Sequence, residues 1–227
     1  MINELLRQKR IHGLKETISK EEEKLLIQGM PIQKIIGFIN FDDVKININR
    51  NVLIPRYETE EVVEAAMKYI HEKSRVLDLC TGSGYIGLTI KKKKNANVVM
   101  SDLSDEAIKQ AEENAKLNKL NVKIIKSDMF KNIDGKFDVI ISNPPYIPQK
   151  IILPDSVIKY EPHNALFAGD DGNDFYKIIV KNAQKYLNKN GVIILEIAED
   201  NREYLSSNGY EIFKDINDKN RIAIKKY

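Results

Sequence analysis

Residues 75–87 read RVLDLCTGSGYIG, and this stretch decides the class of fold that the chain forms. Its first five residues are mostly β-branched or aliphatic and predict a buried strand. Gly82, Gly84 and Gly87 follow with the spacing of a nucleotide-binding turn, and a helical pattern begins at once. Asp102 ends the next predicted strand, where a carboxylate can hold ribose hydroxyls. The order of these features predicts a site for an adenosine-containing ligand, the alternative being a tight turn followed by a surface acid.

Strands and helices alternate from this stretch to the C-terminus. Strands are predicted at 75–80, 97–102, 122–127, 137–142 and 191–197, and helices at 85–93, 104–118, 173–188 and 200–206. Two further strands, at 210–213 and 221–224, are joined by a polar turn. Alternation of this kind predicts an α/β fold with a doubly wound, mostly parallel seven-stranded sheet, and the closing hairpin adds an antiparallel C-terminal strand.

The part of the chain before this core has a different pattern. Residues 2–29 predict two short helices, the second opened by a capping box of Ser19 and Glu22. Residues 35–48 change to a strand period and predict a β-hairpin around Asp42-Asp43. We therefore divide the chain into a short helical segment at 1–30, a linker and hairpin at 31–50, and the main domain at 51–227.

Composition excludes several classes of protein. The 227 residues carry a net charge of +3, which is too mild to require a nucleic-acid partner. A single cysteine, Cys80, rules out an internal disulfide, and the three histidines show no metal-ligand spacing, so no metal is expected. No apolar run reaches the length of a membrane span, and the N-terminus lacks the pattern of a signal peptide. These features favour a cytoplasmic protein without a membrane partner.

A second motif, Asn143-Pro144-Pro145-Tyr146, follows the predicted strand at 137–142. Prolines cannot donate to a sheet ladder and they hold the residue before them extended. The Asn143 side chain and the Tyr146 ring are thus fixed at the carboxyl end of a strand, the edge at which open α/β sheets bind ligands. An Asn oxygen accepts hydrogen bonds from an NH2 group, and a Tyr ring can lie on a planar amide or base. The motif indicates a site for a planar nitrogen, or else a merely structural proline turn.

The acids near the glycine loop favour one kind of cofactor. Asp78 comes just before the loop, where it would repel a pyrophosphate but attract an ammonium group. S-adenosylmethionine has an amino-acid end, a ribose and an adenine, and no phosphate. Asp78 near its amino group, Asp102 on its ribose and Asp128 near its adenine amine form a consistent set. The loop and Asn143 are predicted to face one crevice, because the first and fourth strands are neighbours in such sheets.

Together these residues resemble the class I S-adenosylmethionine-dependent methyltransferases with an Asn-Pro-Pro-Tyr motif. More narrowly, the chain is similar to the release-factor glutamine methyltransferases of the HemK/PrmC type, from about residue 31 to the C-terminus. Residues 52–60, VLIPRYETE, carry the resemblance together with the Asn-Pro-Pro-Tyr motif. It extends to the linker at 31–37, to Glu161-Pro162 and the segment that follows, and to Leu195-Glu196-Ile197.

The resemblance implies a reaction, a partner and a set of site residues. The reaction is methyl transfer from S-adenosylmethionine, which leaves as S-adenosylhomocysteine, to the glutamine amide in the Gly-Gly-Gln motif of peptide chain release factors. The implied catalytic residues are Asn143, Pro144 and Tyr146, and the substrate-binding residues are Asn143, Pro144, Pro145 and Tyr146. The implied cofactor-binding residues are Asp78, Cys80, Thr81, Gly82, Ser83, Gly84, Asp102, Asp128, Met129 and Asn143.

The chain also departs from the family pattern. Cys80 stands where the family usually has a glycine, and we interpret its thiol as packing rather than chemistry. Tyr57 replaces a proline, while Lys34 and Met129 replace aromatic residues. The family carries a larger helical domain ahead of the linker, with which it grips the release factor. Residues 1–30 are therefore expected to be a reduced docking segment.

Three other functions stay open on the sequence alone. The sister enzymes that methylate a ribosomal-protein glutamine share part of the pattern but usually lack the acid-Thr-Glu after the arginine. Methylation of an exocyclic amine on a base would need a basic channel, so nucleic acid is not expected as the direct substrate. A non-enzymatic module that binds an adenosine ligand would use the Asn143 turn only structurally.

Overall fold

The computed structural model describes residues 1–41 and 44–227. The N-terminal part contains helices α1 (Ile2–Ile11), α2 (Lys20–Ile27) and α3 (Ile32–Ile36), followed by strands β1 (Phe38–Asn40) and β2 (Lys45–Asn47). The predicted capping box is present, since the Ser19 hydroxyl accepts from the Glu22 amide and the Glu22 carboxylate accepts from the Ser19 amide. β1 and β2 pair as the predicted antiparallel hairpin, whose Asp42-Asp43 turn lies outside the described residues.

The main domain alternates helices and strands. Its elements are α4 (Thr59–Met67), β3 (Arg75–Leu79), α5 (Tyr85–Lys94), β4 (Asn97–Asp102), α6 (Asp105–Leu117), β5 (Lys123–Lys126), β6 (Phe137–Ser142), α7 (Asp155–Ile158), α8 (Asp174–Asn182), β7 (Leu187–Glu196), α9 (Arg202–Ser207), β8 (Glu211–Lys214) and β9 (Asn220–Lys226). The seven-stranded sheet has the order β5-β4-β3-β6-β7-β9-β8. β9 runs antiparallel to β7 and β8, whereas the other pairs are parallel.

This strand order places the site. The chain moves outward from β3 to β4 and β5, then returns to the other side of β3 with β6. The switch point lies between β3 and β6, where Leu79 pairs with Ser142. Loops that follow two such strands open into a common crevice at the carboxyl edge of the sheet. The glycine loop after β3 and the Asn-Pro-Pro-Tyr turn after β6 meet there, as predicted.

Two hydrophobic cores cover the two faces of the sheet. On one face, Val139, Ile141 and Ile194 pack with α4, α5, α6 and the hairpin. On the other face, Ile140 and Leu195 pack with α8 and α9. Alternate residues of one strand thus enter different cores, which explains why the predicted strands are continuous apolar runs rather than alternating patterns. Each fully buried aliphatic side chain contributes about 1.5–3 kcal/mol relative to exposure.

The hairpin is attached to the domain by amide side chains. Three of them, four residues apart along one face of α6, accept from backbone N–H groups: Asn118 from Lys45, Asn114 from Asn47, and Gln110 from Arg50. Residues 48–53, which we call the strap, continue from the hairpin across the carboxyl edge of the sheet. The Arg50 guanidinium donates to Glu113 on α6 and fixes the strap further.

The predicted elements are confirmed with several shifts in their ends. Residues 32–36 form α3, so the hairpin begins at Phe38 rather than at residue 35. The predicted helix at 173–188 ends at Asn182 and continues as a 3₁₀ turn over Ala183–Tyr186. β7 begins at Leu187, four residues before the predicted strand, because Leu187 pairs with Phe137 of β6.

Candidate active site

A cleft of about 740 Å³ opens at the carboxyl edge of the sheet. Five segments form its walls: the strap, the glycine loop, the end of β4, the end of β5, and the turn after β6. Together with these segments, Pro162, Asn164 and Phe175, which follow the turn in sequence, line the cleft. The cleft therefore lies at the switch point that the strand order defines.

Asp102 shapes the glycine loop. One of its carboxylate oxygens accepts from the Gly82 amide at 2.9 Å, and the other accepts from the Ser104 amide at 2.9 Å. Burial raises the pKa of Asp102, and these backbone hydrogen bonds oppose that rise. A Cβ on Gly82 would meet nothing within 4 Å, so this part of the loop has open space beside it. The loop can thus accept a ligand above Gly82 while Asp102 holds the backbone in place.

Close packing explains the other two glycines. A Cβ on Gly87 would lie 2.6 Å from Met100 and 2.9 Å from the Asp78 carboxylate. A Cβ on Gly84, whose φ is +90°, would lie 2.8 Å from Met100. These glycines let α5 approach β4, as the third glycine does in dinucleotide folds. Their role is packing, whereas Gly82 borders the cleft.

Two buried polar atoms beneath the loop lack a partner among the described residues. Asp78 is fully buried, and its Oδ2 accepts from the Thr81 hydroxyl and the Gly87 amide, but its Oδ1 accepts no hydrogen bond there. The hydroxyl of Ser101, which lines the cleft, is likewise unpaired within residues 1–41 and 44–227. Burial raises the pKa of Asp78 to about 7. Unpaired buried acceptors are costly, and a ligand with a donor, such as an ammonium group, would satisfy them.

The side chains of Cys80 and Met129 meet at the cleft wall. Their sulfur atoms lie 3.7 Å apart, and both residues line the cleft. Cys80 has a φ of 61°, a left-handed conformation that favours glycine and explains why a glycine would fit this position. Burial raises the pKa of the Cys80 thiol, which keeps it neutral. The geometry supports the interpretation that Cys80 contributes packing.

The Asn-Pro-Pro-Tyr turn presents Asn143 and Pro145 to the cleft. The Ser142 hydroxyl ties the start of the turn to β3 by donating to the Leu79 carbonyl at 2.5 Å. Burial raises the pKa of Tyr146 to about 12, so its hydroxyl stays protonated at neutral pH. The turn therefore offers an amide oxygen and a neutral aromatic residue at the end of β6.

Two hydrogen-bonded pairs connect residues 52–60 to the segment after the turn and to the end of β7. Arg56 forms an ion pair with the buried Glu161, with 2.6 Å between Nη2 and Oε1. The Thr59 hydroxyl donates to the buried Glu196 carboxylate at 2.7 Å. Burial raises the pKa of Glu196 to about 7, and the nearby Arg221 opposes the rise. The segment at 52–60 thus connects the turn region to β7.

The structure places the predicted site residues in two groups. The cleft-lining group is Cys80, Gly82, Asp102, Asp128, Met129, Asn143 and Pro145. The second group, which surrounds the cleft without lining it in the described structure, is Asp78, Thr81, Ser83, Gly84, Pro144 and Tyr146. Asp128 also forms an ion pair with Lys131 at 2.6 Å. Sequence reasoning missed the strap residues Asn51, Val52 and Leu53, and it missed Ser101 and Asn164.

Comparison with a solved structure and a family model defines the fold. The structure of a methyltransferase from Pyrococcus furiosus matches with a TM-score of 0.63 at 19% identity, covering 92% of this chain and 98% of that one. The family model described as methyltransferase small domain matches residues 59–159. The fold is therefore that of the Rossmann-like methyltransferases.

Relatives with higher sequence identity define the family to which the chain belongs. The release factor glutamine methyltransferase of Lactococcus lactis is 40% identical over 207 residues, which cover 86% of this chain and 77% of the relative. The ribosomal protein uL3 glutamine methyltransferase of Francisella tularensis is 38% identical over 195 residues, covering 78% of this chain and 62% of that protein. This chain belongs to the release factor glutamine methyltransferase family. No helix within residues 1–41 and 44–227 is long and apolar enough to cross a membrane.

Proposed function

We propose that this protein transfers a methyl group from S-adenosylmethionine to the side-chain amide nitrogen of the glutamine in the Gly-Gly-Gln motif of a peptide chain release factor, in the cytoplasm. The observation that carries the proposal is that Asn143 lines the same cleft as Asp102 and Gly82. One end of the cleft thus suits an adenosine ligand, and the other presents an amide side chain on a rigid turn.

The donor atoms around the cleft suit S-adenosylmethionine. The unpaired Oδ1 of Asp78 would receive the ammonium group, and Asp102 would accept from the ribose hydroxyls. Met129 would cover the adenine, and Asp128 would accept from its amine. When bound, the cofactor supplies the methyl group as an electrophile on a positively charged sulfur. The protein's own task is to hold the acceptor nitrogen in line with it.

The turn after β6 would perform that task by orientation. An amide nitrogen is a poor nucleophile because its lone pair is delocalised into the carbonyl group. The Asn143 side-chain oxygen and the Pro144 carbonyl would accept its two N–H bonds and fix the direction of the lone pair. Tyr146 would lie against the planar amide. Because Pro144 and Pro145 are buried, the turn is rigid and loses little entropy when the substrate binds.

The N-terminal helices are proposed as the docking segment at residues 1–30. The Tyr160 hydroxyl donates to the Gln28 carbonyl at 3.0 Å, which brings the end of α2 beside the segment that follows the catalytic turn. Ile27 and Ile152 are largely exposed, at 78% and 96%, and both offer apolar surface to a protein partner. A release factor that reaches the cleft would pass over these residues. The linker at 31–50 and the main domain at 51–227 complete the proposed domain division.

Labelled methyl transfer tests the proposal. The purified protein is incubated with S-adenosylmethionine labelled in its methyl group and, side by side, with a release factor, the same factor with its Gly-Gly-Gln glutamine replaced by alanine, ribosomal protein uL3, and RNA. We expect label only on the unaltered release factor, located on the glutamine by mass spectrometry. Label on uL3 or RNA instead would assign one of the alternative substrates. Absence of both label and S-adenosylhomocysteine binding would leave an enzyme of this kind without support.

A further inference from the structure

The Lys34 side chain, which comes from α3, lies against one side of the strap. Its Nζ donates to the carbonyl oxygens of Ile48, Arg50 and Val52, at 2.9, 2.7 and 3.2 Å. An ammonium group has three donors, so these three carbonyls use all of them. The strap bends at Arg50 and Asn51, where the Val52 amide donates to the Arg50 carbonyl at 2.9 Å, and the three carbonyls converge on one ammonium group. Lys34 therefore fixes the backbone of the strap at three points.

The strap is also part of the cleft. Asn51, Val52 and Leu53 line the cleft that contains Asp102 and Asn143. Two of the three carbonyls that Lys34 holds thus flank or belong to lining residues. The opposite side of the strap is held by α6, through the Arg50 amide and guanidinium. Backbone hydrogen bonds, from the Ile48 amide to the Gly37 carbonyl and from the Val52 amide to the Arg50 carbonyl, also hold the strap. Lys34 adds a single side chain that joins three of its carbonyls.

Holding a backbone segment with Lys34 requires its ammonium group to be partly buried, which costs free energy. Burial lowers the pKa of Lys34, because an ammonium group loses hydration when it is enclosed by protein. The three charge-assisted hydrogen bonds compensate for that loss. If the ammonium group were removed, the same carbonyls would lose three donors at once, and water would have to replace them. The segment most affected would be the part of the strap that lines the cleft.

We propose that Lys34 is a positioning residue for the cofactor: it holds the strap as a preformed wall of the cleft before the ligand binds. This inference rests on the proposed function, since it takes the cleft to be the S-adenosylmethionine site. If the wall is already ordered, less conformational entropy is lost when the ligand binds. Loss of that order therefore lowers the affinity for the ligand even where no contact to the ligand is removed. Lys34 would also connect the N-terminal helices to the cleft.

Lys34→Met and Lys9→Met form a matched pair of variants. Lys9 is also a buried lysine of the N-terminal helices, where it donates to the Thr17 carbonyl at 2.7 Å and pairs with Glu22, but it does not touch the strap. Both substitutions keep a linear side chain and remove a buried ammonium group. A general loss of stability would affect both variants, whereas a role in positioning the strap affects only Lys34→Met.

Two measurements test whether Lys34 positions the strap for the cofactor. Hydrogen exchange of the strap amides in the cofactor-free protein should be faster in Lys34→Met by about tenfold or more and unchanged in Lys9→Met. The Kd for S-adenosylhomocysteine, measured by calorimetry, should rise about tenfold in Lys34→Met only. Lys34→Arg should restore much of the affinity, because a guanidinium group also donates to several carbonyls. If Lys34→Met does not fold, Lys34→Gln gives the same comparison with fewer donors.

Each unfavourable result has a distinct meaning. An unchanged Kd in Lys34→Met, or an equal rise in Lys9→Met, would overturn the positioning role. Equal weakening by Lys34→Arg and Lys34→Met would also overturn it, since the hydrogen-bond donors would then be irrelevant. If the parent protein binds no S-adenosylhomocysteine, the proposed function fails, while the exchange rates still show whether Lys34 orders the strap.

Discussion

Arg56 Nη2 lies 2.6 Å from Oε1 of Glu161, a residue 105 positions further along the chain. The other carboxylate oxygen of Glu161 accepts from the Ile54 amide at 3.0 Å. One buried acid therefore ties the segment that leads into α4 to the segment that follows the Asn-Pro-Pro-Tyr turn. Leu53 and Pro162, which stand next to Ile54 and Glu161 in sequence, line the same cleft. Two motifs that are far apart in the sequence thus form one edge of the cleft.

Arg56→Ala should lower the free energy of unfolding by about 2–3 kcal/mol. Removing one partner of a buried pair leaves an uncompensated charge, and the expected loss lies below the usual range of about 3–5 kcal/mol because the Arg56 side chain is 36% exposed. Arg7→Ala is the control, since Arg7 pairs with Glu4 on the surface and its removal should change stability much less. Urea unfolding measures both values. Equal losses of unfolding free energy in the two variants would show that the Arg56–Glu161 pair contributes no more to stability than a surface ion pair.

Asp102→Ala should weaken binding of S-adenosylhomocysteine by an amount corresponding to about 1.5–3 kcal/mol, the range for hydrogen bonds to charged groups. The substitution removes the proposed ribose acceptor and also frees the Gly82 and Ser104 amides. Asp105→Ala is the control, because Asp105 lies three residues after Asp102 and forms an exposed ion pair with Lys126. Calorimetry gives both affinities. Parental affinity in Asp102→Ala would mean that the ribose site is assigned wrongly.

The sequence predicts those features of the fold and the site that depend on local residue pattern and on the topology of parallel sheets. Gly82, Asp102 and Asn143 each follow a strand, so the strand order alone brings them to one crevice, and the structure has them there. Lys34 and Asn114 could not be found in this way. Their partners are backbone groups of residues 14–18 and 67 positions away, and polar residues on a helix look like solvated surface until the tertiary contact is known.

Helix α3 and the ends of α8 were missed for a related reason. A five-residue helix is too short to show an apolar period, and Gly37 ends it in a left-handed conformation with a φ of 87°. The early start of β7 depends on the pairing of Leu187 with Phe137, a contact 50 residues apart in sequence that no local pattern encodes. Pairing between strands that are distant in sequence therefore determines where an element begins or ends when the local pattern does not.

The affinity for S-adenosylhomocysteine should rise with pH between about pH 6 and pH 8. The pKa of Asp78 is raised to about 7, chiefly by burial and further by Asp102, so Asp78 is mostly protonated at the lower pH. A ligand with an ammonium group prefers the ionised carboxylate, so binding releases a proton at low pH and becomes stronger as pH rises through 7. Asp78→Asn should remove this dependence. Calorimetry in buffers of different ionisation enthalpy measures both the affinity and the proton released.

Glu196→Gln is the control for this pH dependence. The pKa of Glu196 is also raised to about 7 by burial, but its carboxylate accepts from the Thr59 hydroxyl, whereas Asp78 accepts from Thr81 and Gly87 of the glycine loop. Removal of the Glu196 carboxylate should leave the pH dependence of binding intact. Loss of the dependence in Glu196→Gln, or its persistence in Asp78→Asn, would show that Asp78 does not face the ammonium group.

Asn143→Ala should slow methyl transfer by roughly 10²-fold or more, the loss that follows when one preorganised electrostatic partner is removed. The fold should stay intact and cofactor affinity should change little, because the prolines and the Ser142 hydrogen bond still hold the turn. Asn182→Ala is the control, since the Asn182 side chain at the end of α8 donates to the Ile178 carbonyl and does not line the cleft in the described structure, and the rate of this variant should stay close to that of the parent. Single-turnover methylation at saturating cofactor measures the rates.

Asn143→Asp asks whether the neutral amide itself matters. A carboxylate still accepts from the substrate NH2 group, but it adds negative charge near a sulfonium whose positive charge disappears during the reaction. That charge stabilises the bound ground state more than the transition state, so the variant should hold the cofactor at least as well as the parent and still react slowly. Single-turnover rates and S-adenosylmethionine affinity, measured on the same preparation, separate the two effects. A near-parental rate in Asn143→Ala would remove Asn143 from the reaction, and a near-parental rate in Asn143→Asp would mean that an acceptor of either charge suffices to orient the amide.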